Sequence, residues 1–241
     1  MFKEKIFSDG SYVEILKIIQ EYSYEFIKIT DNHIPNVNKK YFLLRHDVDM
    51  SPKGAIKLGK IEAENNVVSN YFFQINAATY QFLSPVCIDI CKELQSMGHV
   101  VGLHVDSALF SEEEDKIRGT IDWTRDNFFP MDYAISFHRP QPKFLGRKYD
   151  CLASAYDKDF FSKECYASDS RGEDKFYIKL ESLLTSKSPF IQLLLHPCWW
   201  ENESDKTKIY NTISERSQKN LDEYLLNNFP KVFGNVIKRG A

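Results

Sequence analysis

Residues 41–49 read Tyr-Phe-Leu-Leu-Arg-His-Asp-Val-Asp, an apolar run that ends in a histidine and two aspartates before Ser51-Pro52 stops it. As a β-strand this stretch alternates its side chains, so Asp47 and Asp49 share one face while His46 and Val48 take the other. Two carboxylates at that spacing repel unless something positive lies between them or one holds a proton. A divalent cation is the commonest solution. Asp47 read instead as a cap for the following helix, where aspartate is favoured, leaves the two inward carboxylates unexplained.

The pattern recurs. His104 lies near the end of VVGLHVD (100–106), His138 near the end of YAISFHRP (133–140) and His196 near the end of FIQLLLHP (190–197). Four strand-like runs therefore each deliver ionisable residues at the C-terminal end, which in parallel sheets and barrels opens on one face, where α/β folds place their chemistry. Between them lie helical signals. Residues 10–22 have apolar residues at helical spacing, and YEFIKIT (24–30) alternates like an edge strand. Ser51-Pro52 caps and starts a helix over 53–65. A second helix over 85–97 is stopped by Gly98, and a third starts at Ser111-Glu-Glu-Glu and reaches about 128.

Residues 69–75 and 166–168 read as further strands, and 176–185 as a helix. Residues 205–228 form a polar amphipathic helix with Ile209, Ile213, Leu221 and Leu225 inward, after which the tail 229–241 adds little. The long segment 141–163 is predicted to cover the site or shape a substrate groove. Strand and helix alternate from 40 to 228, the signature of a parallel sheet with crossover helices, with 1–241 read as a single domain.

The chain has 241 residues, 43% hydrophobic, 27% charged and 14% aromatic, as in an ordinary globular protein. A net charge of −3 argues against a broad nucleic-acid or anionic-membrane surface. The N-terminus has no apolar leader, and no stretch approaches the roughly 18–20 apolar residues of a membrane span. The expectation is a cytoplasmic protein with a small or uncharged partner. Five cysteines without CxxC spacing fit buried thiols. Cys87 and Cys91, one helical turn apart, read as core residues or as a shared metal pair. Glu112-Glu113-Glu114 reads as a solvated helix start.

In sequence, HDVD (46–49), GHVVGLHVD (98–106), FHRP (137–140) and LLLHP (193–197) resemble the motifs of the polysaccharide deacetylase superfamily (NodB homology, carbohydrate esterase 4). The resemblance covers residues 41–197. The nearest flavour is the group of deacetylases found with surface-polysaccharide biosynthesis genes, whose first motif is HDVD. The resemblance implies a distorted (β/α)7, TIM-like barrel and hydrolysis of an N-acyl amide, N-acetyl first among them, on an amino sugar or glycan precursor. It implies Asp47 as catalytic base, Asp49 and His104 as metal ligands, and His196, with Leu194 as the motif's leucine, as general acid.

The family's H-x-x-x-H motif places its second histidine at Ala108, so a third ligand must come from elsewhere. His138 is the candidate, ahead of His46. His99 matches a histidine that the family does not use as a ligand. Arg139 and Asp169 are implied as the residues that hold and tune the base, and Pro142 falls where the family's backbone oxyanion donor belongs. The implied cofactor is a divalent metal, zinc first, with Co2+, Ni2+, Mn2+ or Fe2+ as other ions. In the cytoplasm the substrate would be a small molecule or glycan precursor, nucleotide-linked or lipid-linked. Trp199 and Trp200 either stack on a sugar ring or close the barrel mouth. The rival readings are hydrolysis of another non-peptide C–N bond, such as a formamide or cyclic amide, and an inactive sugar-binding protein. All depend on Asp49 and His104 approaching within about 6 Å, the span of two side chains bonded to one ion.

Overall fold

The computed structural model describes residues 1–31, 38–106, 113–201 and 203–237. They form two compact units, Met1–Ser204 and Asp205–Ala241. The first opens with α1 (Asp9–Glu21), capped by the Ser8 side chain, and β1 (Tyr24–Phe26). Then follow β2 (Lys40–Val48), α2 (Pro52–Glu64), β3 (Asn70–Phe73), α3 (Pro85–Ser96), β4 (Val100–Asp106), α4 (Glu114–Asn127) and β5 (Ala134–His138). A 3-10 turn (Pro142–Phe144), β6 (Ala153–Ser154), β7 (Tyr166–Ser168), α5 (Lys175–Thr185), β8 (Phe190–Leu195) and α6 (Pro197–Glu201) complete it. The second unit holds α7 (Lys206–Asn228) and α8 (Pro230–Ile237).

All strand pairs are parallel, in the order β6-β5-β4-β3-β2-β8-β7, with β1 beside the start of β2. The sheet curls. On β8, Gln192 Nε2 donates at 2.9 Å to the carbonyl of Ala155, just past β6, so one end of the strand order meets the strand next to the other end across the interior. This is an incomplete (β/α) barrel, with helices packed outside an apolar sheet whose strands are buried on both faces.

Strand parity sorts the interior into layers. Leu43, Phe72, Val100 and Ala134 pack at the N-terminal end, and Arg45, Ser136 and Gln192 occupy the middle. A side chain on Gly102 has no room: a Cβ there would meet the Ala134 carbonyl oxygen at 2.3 Å, so β4 approaches β5 closely only because of this glycine. On the opposite face of β2, His46 bonds the buried Glu62 of α2 at 2.7 Å, in a polar cluster with Tyr12, Ser69, Tyr71 and His99. His46 and His99 therefore belong to the packing behind the sheet.

Four expectations change. Segment 141–163 contains a 3-10 turn and an added edge strand, β6, which the absence of a long apolar run concealed. Glu114 is not simply solvated, because its carboxylate accepts from the backbone N–H groups of Asp150 and Cys151 at 3.1 and 2.6 Å. The tail forms a helix, α8, and Leu221 on α7 is exposed rather than inward. Cys87 and Cys91 are both buried on α3 as core residues, and no metal-holding group includes them among the described residues. Ala108, Ser111 and Glu112 lie outside the described residues.

Candidate functional site

At the C-terminal ends of the strands, Asp47, Asp49, His104, His138, Arg139 and His196 line one cavity of about 420 Å³, walled by Phe137, Leu145, Tyr156, Phe161, Tyr166 and Leu194. Strand register assembles the polar floor. Pairing of β4 with β5 sets Ser136 opposite His104, and β2 runs between β3 and β8 so that Asp47 faces the same interior.

Asp47 is only 3% exposed, and its charge is met by Arg45, two residues earlier on the same strand. The guanidinium donates from Nε to Oδ1 at 2.9 Å and from Nη2 to Oδ2 at 2.6 Å, a bidentate pair. Arg45 is wholly buried, stacked over the Tyr156 ring at 4.5 Å and bonded to the Tyr156 hydroxyl at 3.0 Å and to Gln192 Oε1 at 3.2 Å. Burial alone would raise the Asp47 pKa, but Arg45 overrides it and holds the carboxyl below its ordinary value.

Arg139, expected beside the base, is instead exposed, because β5 ends at His138 and the chain turns away with φ +49°. The parity argument that paired Asp47 with Asp49 also places Arg45 on their face, and this was the available signal. Asp169, also expected to tune the base, serves His196: it accepts from the ring Nδ1 at 2.7 Å, from the backbone N–H at 3.0 Å and from Trp200 Nε1 at 3.0 Å. Burial would lower the His196 pKa, yet the Asp169 carboxylate prevails and raises it to about 9. The ring carries its proton at neutral pH. Its Nε2 faces the cavity, 3.7 Å from Asp49 Oδ2.

Asp49, His104 and His138 offer three ligand atoms within 4.8 Å of one another. Asp49 Oδ1 lies 3.1 Å from His104 Nε2 and 3.5 Å from His138 Nδ1. Atoms bonded at about 2.0–2.2 Å to one tetrahedral ion sit about 3.3–3.6 Å apart, so the spacing fits.

The protonation pattern fits as well. Ser136 Oγ donates its single proton to Asp47 Oδ1 at 3.0 Å, so it must accept from His104 Nδ1, 2.5 Å away. His104 then carries a proton on Nδ1, and its Nε2 stands 3.1 Å from Asp49 Oδ1. Among the described residues that buried oxygen makes no hydrogen bond despite the short approach. Two ligand atoms this close without a hydrogen bond between them suit a cation beside both, and the Asp47–Ser136–His104 chain is the kind of support that orients a metal-bound imidazole.

Trp200 is buried among Phe7, Tyr12 and Phe176 and bonded to Asp169, so it does not offer a face to a sugar. Trp199 packs against Gly172 and does not line the cavity. Pro142 opens the 3-10 turn beside the cavity wall.

No family model matches the sequence, and no curated protein is similar to it. Solved structures of similar shape include the Bdellovibrio bacteriovorus peptidoglycan deacetylase, with TM-score 0.45 and 14% identity, over 80% of this chain and 56% of that one. A CE4 family pseudoenzyme from Bacillus anthracis is similar with TM-score 0.45 and 16% identity, over 75% and 63%. The chitin deacetylase of the fungal pathogen Colletotrichum lindemuthianum is similar with TM-score 0.40 and 16% identity, over 72% and 81%. The chain thus spans less than two thirds of the length of the first two. These likenesses are distant, and it is the side chains of the cavity that carry the functional reading.

Proposed function

We propose that the chain is a metal-dependent carbohydrate N-deacetylase of the HDVD-motif kind, hydrolysing an N-acyl, chiefly N-acetyl, amide on an amino sugar or glycan precursor. One observation carries this: Asp47, held by Arg45, and His196, held by Asp169, open on the same cavity as the Asp49–His104–His138 cluster. Asp49 Oδ1, His104 Nε2 and His138 Nδ1 would hold the ion, zinc being the first choice for two imidazoles and a carboxylate. A divalent ion there supplies a water of lowered pKa and polarises the amide carbonyl.

The chain's own groups do the rest. Arg45 and Ser136 fix the Asp47 carboxylate and keep it charged, and its Oδ2 retains an acceptor site for the proton of an attacking water. His196 donates its Nε2 proton to the leaving amine, which is too basic to depart unprotonated, and Asp169 holds that ring in place and in its acid form. In D47N, acetate release from an N-acetylated glucosamine oligomer should fall by about 10²–10⁴-fold, while bound metal measured by mass spectrometry stays near the wild-type ratio. Undiminished acetate release would refute the role of Asp47.

A second reading is favoured by the tightness of the Arg45 clamp, which makes Asp47 a weak base: a chain that binds metal and sugar without turnover. Metal-loaded wild type that binds the oligomer and releases no acetate would establish it.

A further inference from the structure

Arg139 is left over once the site is described. It lines the cavity, alone of lysine and arginine there, and among the described residues no hydrogen bond or ion pair engages it. Its backbone lies in the left-handed region at φ +49°, uncommon for a bulky side chain and a conformation that collects at ligand-binding positions. It stands between the candidate ligand His138 and Pro140, both of which line the same cavity.

The following stretch, 139–149, carries Arg139, Lys143, Arg147 and Lys148 with no acid, in a chain of net charge −3. Arg147 lies over the Tyr149 ring at 4.7 Å and Lys148 pairs with Asp159 at 3.3 Å, so these cations are turned to their own neighbours. The cavity has acids at its floor and, on its wall, one arginine without a partner among the described residues. A neutral sugar gives such a group nothing to bind, whereas a phosphate or carboxylate matches its fork of donors.

We infer that the substrate is an acetamido sugar bearing an anionic substituent, phosphate or carboxylate, and that Arg139 binds that anion. The inference rests on the deacetylase reading for the identity of the sugar, but its test does not need turnover. Calorimetry on zinc-supplemented D47N compares N-acetylglucosamine, N-acetylglucosamine 1-phosphate and the corresponding uronic acid. One of the two anionic sugars should bind about 10–100-fold more tightly than the neutral one, and which one does so names the anion. Adding R139Q should bring that ratio to about one, and R139K should restore part of it because the charge remains without the fork.

Equal binding of all three sugars to D47N, or a preference that survives R139Q because the anion sits on the metal, would overturn the inference. Arg139 is exposed, so R139Q leaves the fold intact, as a thermal melt will show. Acetate release from the wild type reports on the deacetylase reading separately: its absence with the ratio intact would sink that reading and leave Arg139 as an anion site.

Discussion

Among single residues, two ion pairs, Arg45–Asp47 and His196–Asp169, push the acidities of their groups in opposite directions across one cavity. Arg45 and Asp47 are both buried, so removing one partner leaves an uncompensated charge. R45Q should destabilise the fold by about 3–5 kcal/mol in urea unfolding. It should also move the acid limb of the pH–rate profile upward, since Asp47 loses the group that holds its pKa down. The double change R45Q/D47N should cost less than R45Q alone.

At His196 the sign is opposite. Its raised folded value, about 9, gives a contribution present below the unfolded value of about 6.5 and lost as pH rises through 9. D169N should therefore pull the alkaline limb of activity down toward about 6.5, and a limb unmoved near 9 would show that Asp169 does not tune the ring. The acids and imidazoles were legible in the sequence because each closes an apolar run. Arg45 was not, because it sits inside its run, and Ser136 was not, because a lone serine in a strand carries no signal of its own.

At the scale of elements, β4 and β5 must lie close enough for His104 to reach Ser136, and Gly102 permits it. In G102A the new methyl meets the Ala134 carbonyl, so the strands must part. Overpacking of this kind costs about 1–3 kcal/mol, and metal affinity measured with a chromophoric competitor should fall together with stability. Affinity unchanged in a destabilised G102A would show that strand spacing does not set the ligand geometry. The strands β2, β4, β5 and β8 were readable as apolar runs of strand length ending in ionisable residues. The two-residue β6 was not, since its pairing with β5 depends on Tyr133 and Ile135 of the neighbouring strand rather than on any pattern in its own residues. The turn that points Arg139 away from Asp47 was equally hidden, because a left-handed residue before proline leaves no periodic mark.

At the scale of the molecule, curling of the sheet brings Arg45 of β2, Gln192 of β8 and Tyr156 after β6 into one interior, although 147 positions separate Arg45 from Gln192. Parallel order followed from the alternation of strands and helices, whereas the meeting of β6 with β8 depended on side chains that no local pattern reveals. A site assembled from four strand ends couples metal binding to the fold. Zinc at about a thousand times its Kd should add about 4 kcal/mol to unfolding, seen as a raised melting midpoint, and the gain should vanish in D49N. The central claim is that Asp49, His104 and His138 hold one cation beside Asp47. Anomalous X-ray diffraction at the zinc edge, from crystals grown with zinc, tests it most directly. A single peak is expected about 2 Å from Asp49 Oδ1, His104 Nε2 and His138 Nδ1. A zinc ion bound elsewhere, with these three side chains ligating nothing, would contradict it.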